Sequence, residues 1–520
     1  MTKQAKSHSQ RLLGNAFWNG FPSLFRIAVG ILLVPYILSQ VGNELYGIWR
    51  ISFSILYISW ILQIGLNSSV NREVPQGLVR RDYNRISEVI STVIVFYSII
   101  SIIILVAVIT LVVKFPVWVH VPIEHYTVSR IVIGITGIGF IIWMPFSVFR
   151  SVMNGLQSFT SIGIVEVLMT ICYTLAAFLL LGLDYGIIAL TCLGVARLVL
   201  PVVILTFLAK YFCPQITISF RNASLKTFRS IFAYSANSAI YTIATAFFAQ
   251  GGIWVTGFLL GPAKTTYYST CYQLAALIGG FLAIGLVVIK PAASQFQALG
   301  DMERVRILFL RSIKYVLMVS LPAAFFLCIF RNEILMAWLG REDFIRVSYL
   351  IPILAITQVT WLSLQTSYFV INGIGHHRVF AIIAVVTTLT SIISAILFFK
   401  IGNMDLLGVA IGMSLPVVFV SLIIIPVYSC KVLSLSIFKY IRMCLLRLIV
   451  PLLTFILFLI SWKRIVANMS LIQLLLCMFT SVVVIGISYW NITLSENERL
   501  IFKGIASNLI ERVISSKQEI

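Results

Sequence analysis

The sequence is poor in charge, and poorest in negative charge. Charged residues fill 11% of its 520 positions, under half of the ~25% typical of soluble domains. Only 17 are Asp or Glu, against 38 Lys and Arg, for a net charge of +21. That shortage excludes a soluble enzyme and a disordered chain. The cysteines offer no scaffold either. Cys172, Cys192, Cys213, Cys271, Cys328, Cys430, Cys444 and Cys477 form no close pair, so neither a disulfide framework nor a metal site is expected. His8, His120, His125, His376 and His377 show no ligand spacing, and His376-His377 reads as a solvated turn. No connection exceeds roughly 20 residues, so no folded soluble domain fits between the apolar runs. The polar N-terminus leads into a full-length apolar run, without a cleavable signal pattern.

What is abundant is apolar surface, at 60% of residues. A helix needs ~20 such residues to cross a bilayer core. Fourteen long runs can be marked, at 12–39, 45–68, 86–113, 127–153, 159–183, 185–210, 229–260, 263–290, 305–330, 347–371, 378–400, 405–429, 444–462 and 468–490. Backbone exposed to lipid must satisfy its own hydrogen bonds, which dictates helices. Barrel strands would be ~10 residues long and alternating. The expected class is therefore an all-α polytopic membrane protein with 14 transmembrane helices. With the N-terminus inside, 26 of the 38 basic residues fall on the inner side and 8 on the outer. This places both termini in the cytoplasm and explains the positive charge without nucleic acid. After Asn491, Leu500, Ile505, Leu509 and Val513 recur at helical spacing among charges, as in an interfacial amphipathic helix.

The chain also repeats itself. Asn154-Gly155 and Asn372-Gly373 are 218 residues apart, Gly42 and Gly261 are 219 apart, Gly182 and Gly402 are 220 apart, and Asp184 and Asp405 are 221 apart. The order is the same in both copies. Two six-helix lobes follow, with two extra C-terminal helices. Six is even, so the lobes share one orientation and form a parallel pseudo-two-fold repeat. The expected organisation is an N-lobe over 1–210, a cytoplasmic linker over 211–228, a C-lobe over 229–430, two additional helices over 431–490 and a cytoplasmic amphipathic tail over 491–520.

Polar stripes in hydrocarbon need protein or water beside them. The first run aligns Asn15, Asn19, Ser23, Arg26 and Gly30, and the second aligns Tyr46, Arg50, Ser54 and Tyr57. The fifth aligns Glu166, Thr170 and Tyr173, and the seventh Ser238, Thr242, Thr245, Gly252 and Thr256. The eighth offers Ser269, Gln273 and Gly280, and the tenth Thr357, Trp361, Gln365, Tyr368 and Asn372. Such stripes line a cavity or form helix-packing seams. The arginines tip that balance. Arg26 and Arg197 lie near the middle of their runs, and Arg50 in the outer third of its run. Centring each costs at least ~2.5 kcal/mol. Glu166 is the one acid well inside a run, so two positive charges are left over. They call for a wet cavity and an anionic ligand. Structural pairing is the competing reading, with Arg197 and Glu166 as the pair. Arg130 and Arg150, at the ends of their run, read as snorkelling to the interface. Trp361 lies deep enough to stack on a sugar, whereas Trp49, Trp254 and Tyr267 fit an interfacial belt.

The two six-helix halves, the two extra helices, the Val41–Arg50 turn and Asn154-Gly155 resemble the polysaccharide-transport family of flippases, the bacterial O-antigen and capsule repeat-unit translocases. The resemblance runs from about Arg11 to Tyr489, and its superfamily also holds the peptidoglycan-precursor flippase and the multidrug extruders. It implies a transporter, not an enzyme, working by alternating access in the bacterial cytoplasmic (inner) membrane. The implied substrate is a polyprenyl-pyrophosphate-linked oligosaccharide. The implied partners are membrane lipids, a polysaccharide polymerase and a chain-length regulator. Arg26, Arg50 and Arg197 would hold pyrophosphate, while Asn19, Thr245, Gln273, Trp361 and Gln365 would contact the glycan. No catalytic residue, metal or cofactor is expected. Proton or sodium coupling would fall to Glu166. A drug or metabolite antiporter is the alternative, weakened because the first run lacks an acid.

Overall fold

The fold is that of a computed structural model, which describes residues 3–57, 63–286, 288–376, 378–466, 470–501 and 503–504. Within these, the side chains of 3–17, 19, 64–65, 68, 233–239, 281 and 283–284 are not described. Asn15, Asn19, Ser238, His377, Ile505, Leu509 and Val513 therefore lie outside the described side chains.

Every described element is a helix. α1 (Lys3–Leu56) takes in the first run and the first half of the second, and bends at Gly42. α2 (Ile64–Arg80) begins within the last residues of the second run. There follow α3 (Tyr83–Trp118), α4 (Tyr126–Phe146), α5 (Val148–Gly155), α6 (Phe159–Gly182), α7 (Gly186–Phe212), α8 (Leu225–Leu260), α9 (Pro262–Leu286), α10 (Ile289–Ala298) and α11 (Met302–Ile329). After the short α12 (Arg331–Leu339) and α13 (Glu342–Ile345) come α14 (Leu350–Gly373), α15 (Arg378–Lys400), α16 (Asp405–Phe419), α17 (Ile425–Val432), α18 (Ile437–Ile441), α19 (Arg447–Ile465) and α20 (Leu471–Ser488). Eleven spans among the described residues are long and apolar enough to cross a membrane.

The packing is inside-out relative to a water-soluble protein. On α3, Ile102, Ile103, Val106 and Ile109 are exposed, while Ser87, Ser91, Thr92 and Ser101 are buried. In lipid an exposed isoleucine costs nothing, and buried hydroxyls must find acceptors. Most turn to their own helix: Ser52 donates to the Ile48 carbonyl at 2.8 Å, and Thr136 to Val132 and Thr191 to Ile187 at 2.7 Å each.

The helices group into two compact units. One comprises Met1–Gly285 and Gly375–Val420, the other Leu286–Ile374 and Ser421–Ile520. In the first unit α15 packs on both α8 and α16, so the units cut across the expected lobe boundaries. The expected linker is fastened down rather than free. The backbone N–H groups of Thr217, Ser219 and Ser224 donate to the hydroxyls of Ser87, Ser91 and Thr92 on α3 at 3.0–3.3 Å. At the other end of this unit, Gly47 is a close-approach position, because a Cβ there would collide with the Pro262 carbonyl.

Left-handed backbone recurs with a fixed spacing. Gly42 and Gly261, Arg81 and Gly300, His120 and Gly340, Gln157 and Gly375, and Asp184 and Asn403 all have positive φ, and each pair is 218 to 220 residues apart. Helix starts recur likewise: Asp82 accepts from the Arg85 N–H and Asp301 from the Arg304 N–H.

The second unit contains a buried ion pair that sequence periodicity does not announce. Lys314 on α11 and Glu498 beyond α20 are each 3% exposed. Lys314 Nζ donates to both Glu498 oxygens at 2.6 and 2.7 Å, and Tyr315 Oη donates at 2.9 Å. Glu498 also accepts from the Ser495 N–H at 2.9 Å and hydroxyl at 3.0 Å, as in a capping box. Burial alone would raise the carboxyl, but Lys314, the Ser495 N–H and Tyr315 overrule it and hold it at about 2, against an ordinary 4.5. A depressed carboxylate stabilises the fold fully above its unfolded value and loses that contribution as pH falls through its folded one. The clasp should therefore be intact above about pH 5 and weaken progressively as pH falls toward about 2. Glu498→Gln, which strands a buried ammonium, should lower stability by about 3–5 kcal/mol, while Lys314→Met with Glu498→Leu should recover most of it. Thermal unfolding of the purified protein in detergent measures both.

Candidate functional site

The two arms of α1 carry two of the three arginines singled out above, Arg26 before the Gly42 bend and Arg50 after it. Arg26 is exposed and donates to Ser23 Oγ at 3.4 Å. It lies close enough to interact electrostatically with Tyr57 and with Arg197. Arg50 is half-buried, its Nε buried without a hydrogen-bond acceptor, and its charge acts on Tyr46 one turn away. On α7, the Arg197 guanidinium sits 4.7 Å from the centre of the Tyr173 ring on α6. Tyr173 in turn interacts with Tyr46. α9 extends the group: Tyr272 interacts with Tyr57, and Gln273 Nε2 lies 3.7 Å from where Gly30 would carry a Cβ. Four helices of the first unit thus bring Arg26, Arg50, Arg197 and Gln273 into one chain of neighbours with four tyrosines.

The acid does not go where the sequence pointed. Glu166 pairs with Arg150, not with Arg197, and Arg150 is not merely snorkelling. The cause is the tight turn after α5. Only residues 156–158 separate α5 from α6, and the long side chain of Arg150, in the first turn of α5, reaches the carboxylate of Glu166 two turns into α6. Among the described residues, no carboxylate comes within ion-pair distance of Arg26, Arg50 or Arg197. The positive surplus is therefore three charges rather than two.

The remaining expected residues are more dispersed. The Thr245 hydroxyl donates to the Thr242 carbonyl of its own helix at 2.9 Å. Further along the same stripe, Thr256 is fully buried and a Cβ at Gly252 would collide with Tyr268, so that part of the stripe is a packing seam. Trp361 and Gln365 lie on α14 of the second unit. That helix is buried on most sides, and Trp361, Gln365, Phe369 and Asn372 form a half-buried face at helical spacing. The Glu44 and Glu124 carboxylates and the His125 imidazole lie within 4.8 Å of one another, the one such group among the described residues that could hold a metal. His125 Nε2 is 3.2 Å from Glu44. Sequence reading missed this group because Glu44 is far from the other two along the chain.

The family described as polysaccharide biosynthesis protein matches residues 45–342, more than half of the sequence. The chain belongs to this family. It is 21% identical to a putative O-antigen transporter of Shigella flexneri, over 80% of this chain and 98% of that one. It is 26% identical to a probable low-salt glycan biosynthesis flippase of Haloferax volcanii, over 39% of this chain and 42% of that relative's length. The fold is shared with the lipid II flippase MurJ in an inward closed conformation (TM-score 0.66, 15% identity, 92% of this chain and 99% of that one). It is shared too with an inward-facing MATE-family multidrug transporter (TM-score 0.63, 16% identity, 79% and 94%). None of these relatives is named as an enzyme.

The Tyr173 stack is testable on its own. A cation–π contact contributes about 0.5–2 kcal/mol. Tyr173→Phe should keep the thermal midpoint of the purified protein near wild type, while Tyr173→Leu should lower it.

Proposed function

We propose that this protein is a flippase that moves a polyprenyl-pyrophosphate-linked oligosaccharide repeat unit across the bacterial cytoplasmic membrane by alternating access. One observation carries the reading: Arg26, Arg50 and Arg197 share one cluster on apolar helices, with no carboxylate among the described residues within ion-pair distance of them. Each costs at least ~2.5 kcal/mol in lipid, and a pyrophosphate is a dense anion that guanidinium forks fit. Gln273 beside them would meet glycan hydroxyls. Relatives named as a glycan flippase and an O-antigen transporter favour the same substrate class.

The architecture belongs to the proposal. Fourteen crossings result if α1 counts as two helices about Gly42 and the more polar α9 and α14 also cross. Two six-helix lobes in parallel repeat are supported by the recurrent left-handed positions. The lysine and arginine excess supports termini in the cytoplasm. A polymerase acting on the delivered unit, with a chain-length regulator, would be the downstream partner. Proton or sodium coupling would still fall to Glu166.

The fold shared with a multidrug transporter keeps a drug antiporter as the second reading. A basic site disfavours cationic drugs, so drug susceptibility of a deletion strain should be unchanged. The direct test is Arg26→Gln with Arg50→Gln, assayed for surface polysaccharide at matched membrane expression. Export should be lost. Full retention removes these arginines from the mechanism.

A further inference from the structure

Glu166 stands between two arginines. Its carboxylate pairs with Arg150 and lies within electrostatic reach of Arg197. Its side chain is 15% exposed, that of Arg150 50% exposed. An acid so buried needs a cation, and whichever arginine neutralises it is weakened as an anion receptor. Arg150, in the first turn of α5, is outside the arginine–tyrosine cluster and can be spared. Arg197 is held by the Tyr173 ring at 4.7 Å, which fixes the guanidinium plane without cancelling its charge.

We propose that Arg150 is a positioning residue for the anion site: by engaging Glu166, it keeps Arg197 unneutralised and free to receive the pyrophosphate of the substrate. This rests on the flippase reading above. Loss of Arg150 releases Glu166 toward Arg197, so a residue that does not touch the anion should control its affinity. The dependence should vanish when Glu166 is also neutralised, because there is then no acid to divert.

The experiment titrates farnesyl pyrophosphate against the full-length protein in lipid nanodiscs, by calorimetry. Arg150→Gln should weaken binding about tenfold, the size of one lost charge contact. Arg150→Gln with Glu166→Gln should return to within about twofold of wild type, and Arg150→Lys should retain affinity. Glu166→Gln alone should bind at least as tightly as wild type, which tests the idea even where Arg150→Gln fails to fold. Unchanged affinity in Arg150→Gln, a loss that the double variant does not restore, or weaker binding by Glu166→Gln would each overturn the role of Arg150 while leaving the arginine site standing. If wild type binds no farnesyl pyrophosphate, or Arg26→Gln with Arg50→Gln binds as wild type does, the site itself falls, and this role with it.

Discussion

A guanidinium inside a bilayer has to be held by something, and here it is not held by carboxylates. Three arginines share a cluster in which the nearest acid is committed elsewhere. What meets Arg197 instead is the ring of Tyr173, while Tyr46 and Tyr57 lie within electrostatic reach of Arg50 and Arg26. A ring face attracts a cation through its quadrupole, yet leaves the net charge intact. A carboxylate would stabilise the arginine more strongly and abolish its affinity for an anion. The choice of tyrosine over glutamate therefore separates two tasks, orientation and neutralisation, that an ion pair would merge.

The second unit resolves the same problem the opposite way. Lys314 is as deeply buried as any charge among the described residues, and it is fully paired by Glu498 with a tyrosine and a cap in support. Taking two charges out of water is expensive unless the geometry is good and further hydrogen bonds support the pair; here Lys314 donates two to the carboxylate, which accepts three more from Tyr315 and Ser495. A cation so engaged has little left to offer a ligand. Lys314 is thus a structural cation, whereas Arg197, half-buried against the Tyr173 ring, is the one proposed to receive an anion.

Much of this was legible along the chain. Helical period and the shortage of charge located the apolar runs, and phase arithmetic put Arg26 on the same stripe as Gly30, Arg50 on that of Tyr46, and Glu166 on that of Tyr173. All of these are local signals. The pairings were not legible, because they depend on which helix faces which. Glu166 found Arg150 instead of Arg197 through a turn whose tightness periodicity does not reveal. Lys314 found Glu498 across most of the second unit's length. How the linker over 211–228 is anchored was not legible, because Ser87, Ser91 and Thr92 look like ordinary polar residues on α3 until the hydrogen bonds are known.

The repeat shows why sequence alone made it faint. Gly42 and Gly261 combine φ of 76° and 84° with ψ of 176° and −179°, a region open to glycine almost exclusively. Both copies have kept glycine. Of the other recurrent positions, Arg81 with ψ 29° and Gly340 with ψ 23° need only the left-handed helical region. There a side chain costs on the order of 1 kcal/mol, so arginine, histidine, glutamine and aspartate stand opposite glycine or asparagine. Backbone shape is conserved between the proposed halves wherever a turn requires it, while identity survives only where no other residue can adopt the shape. Substituting Gly42 should accordingly be far less tolerated than substituting Gly340, even though both have positive φ.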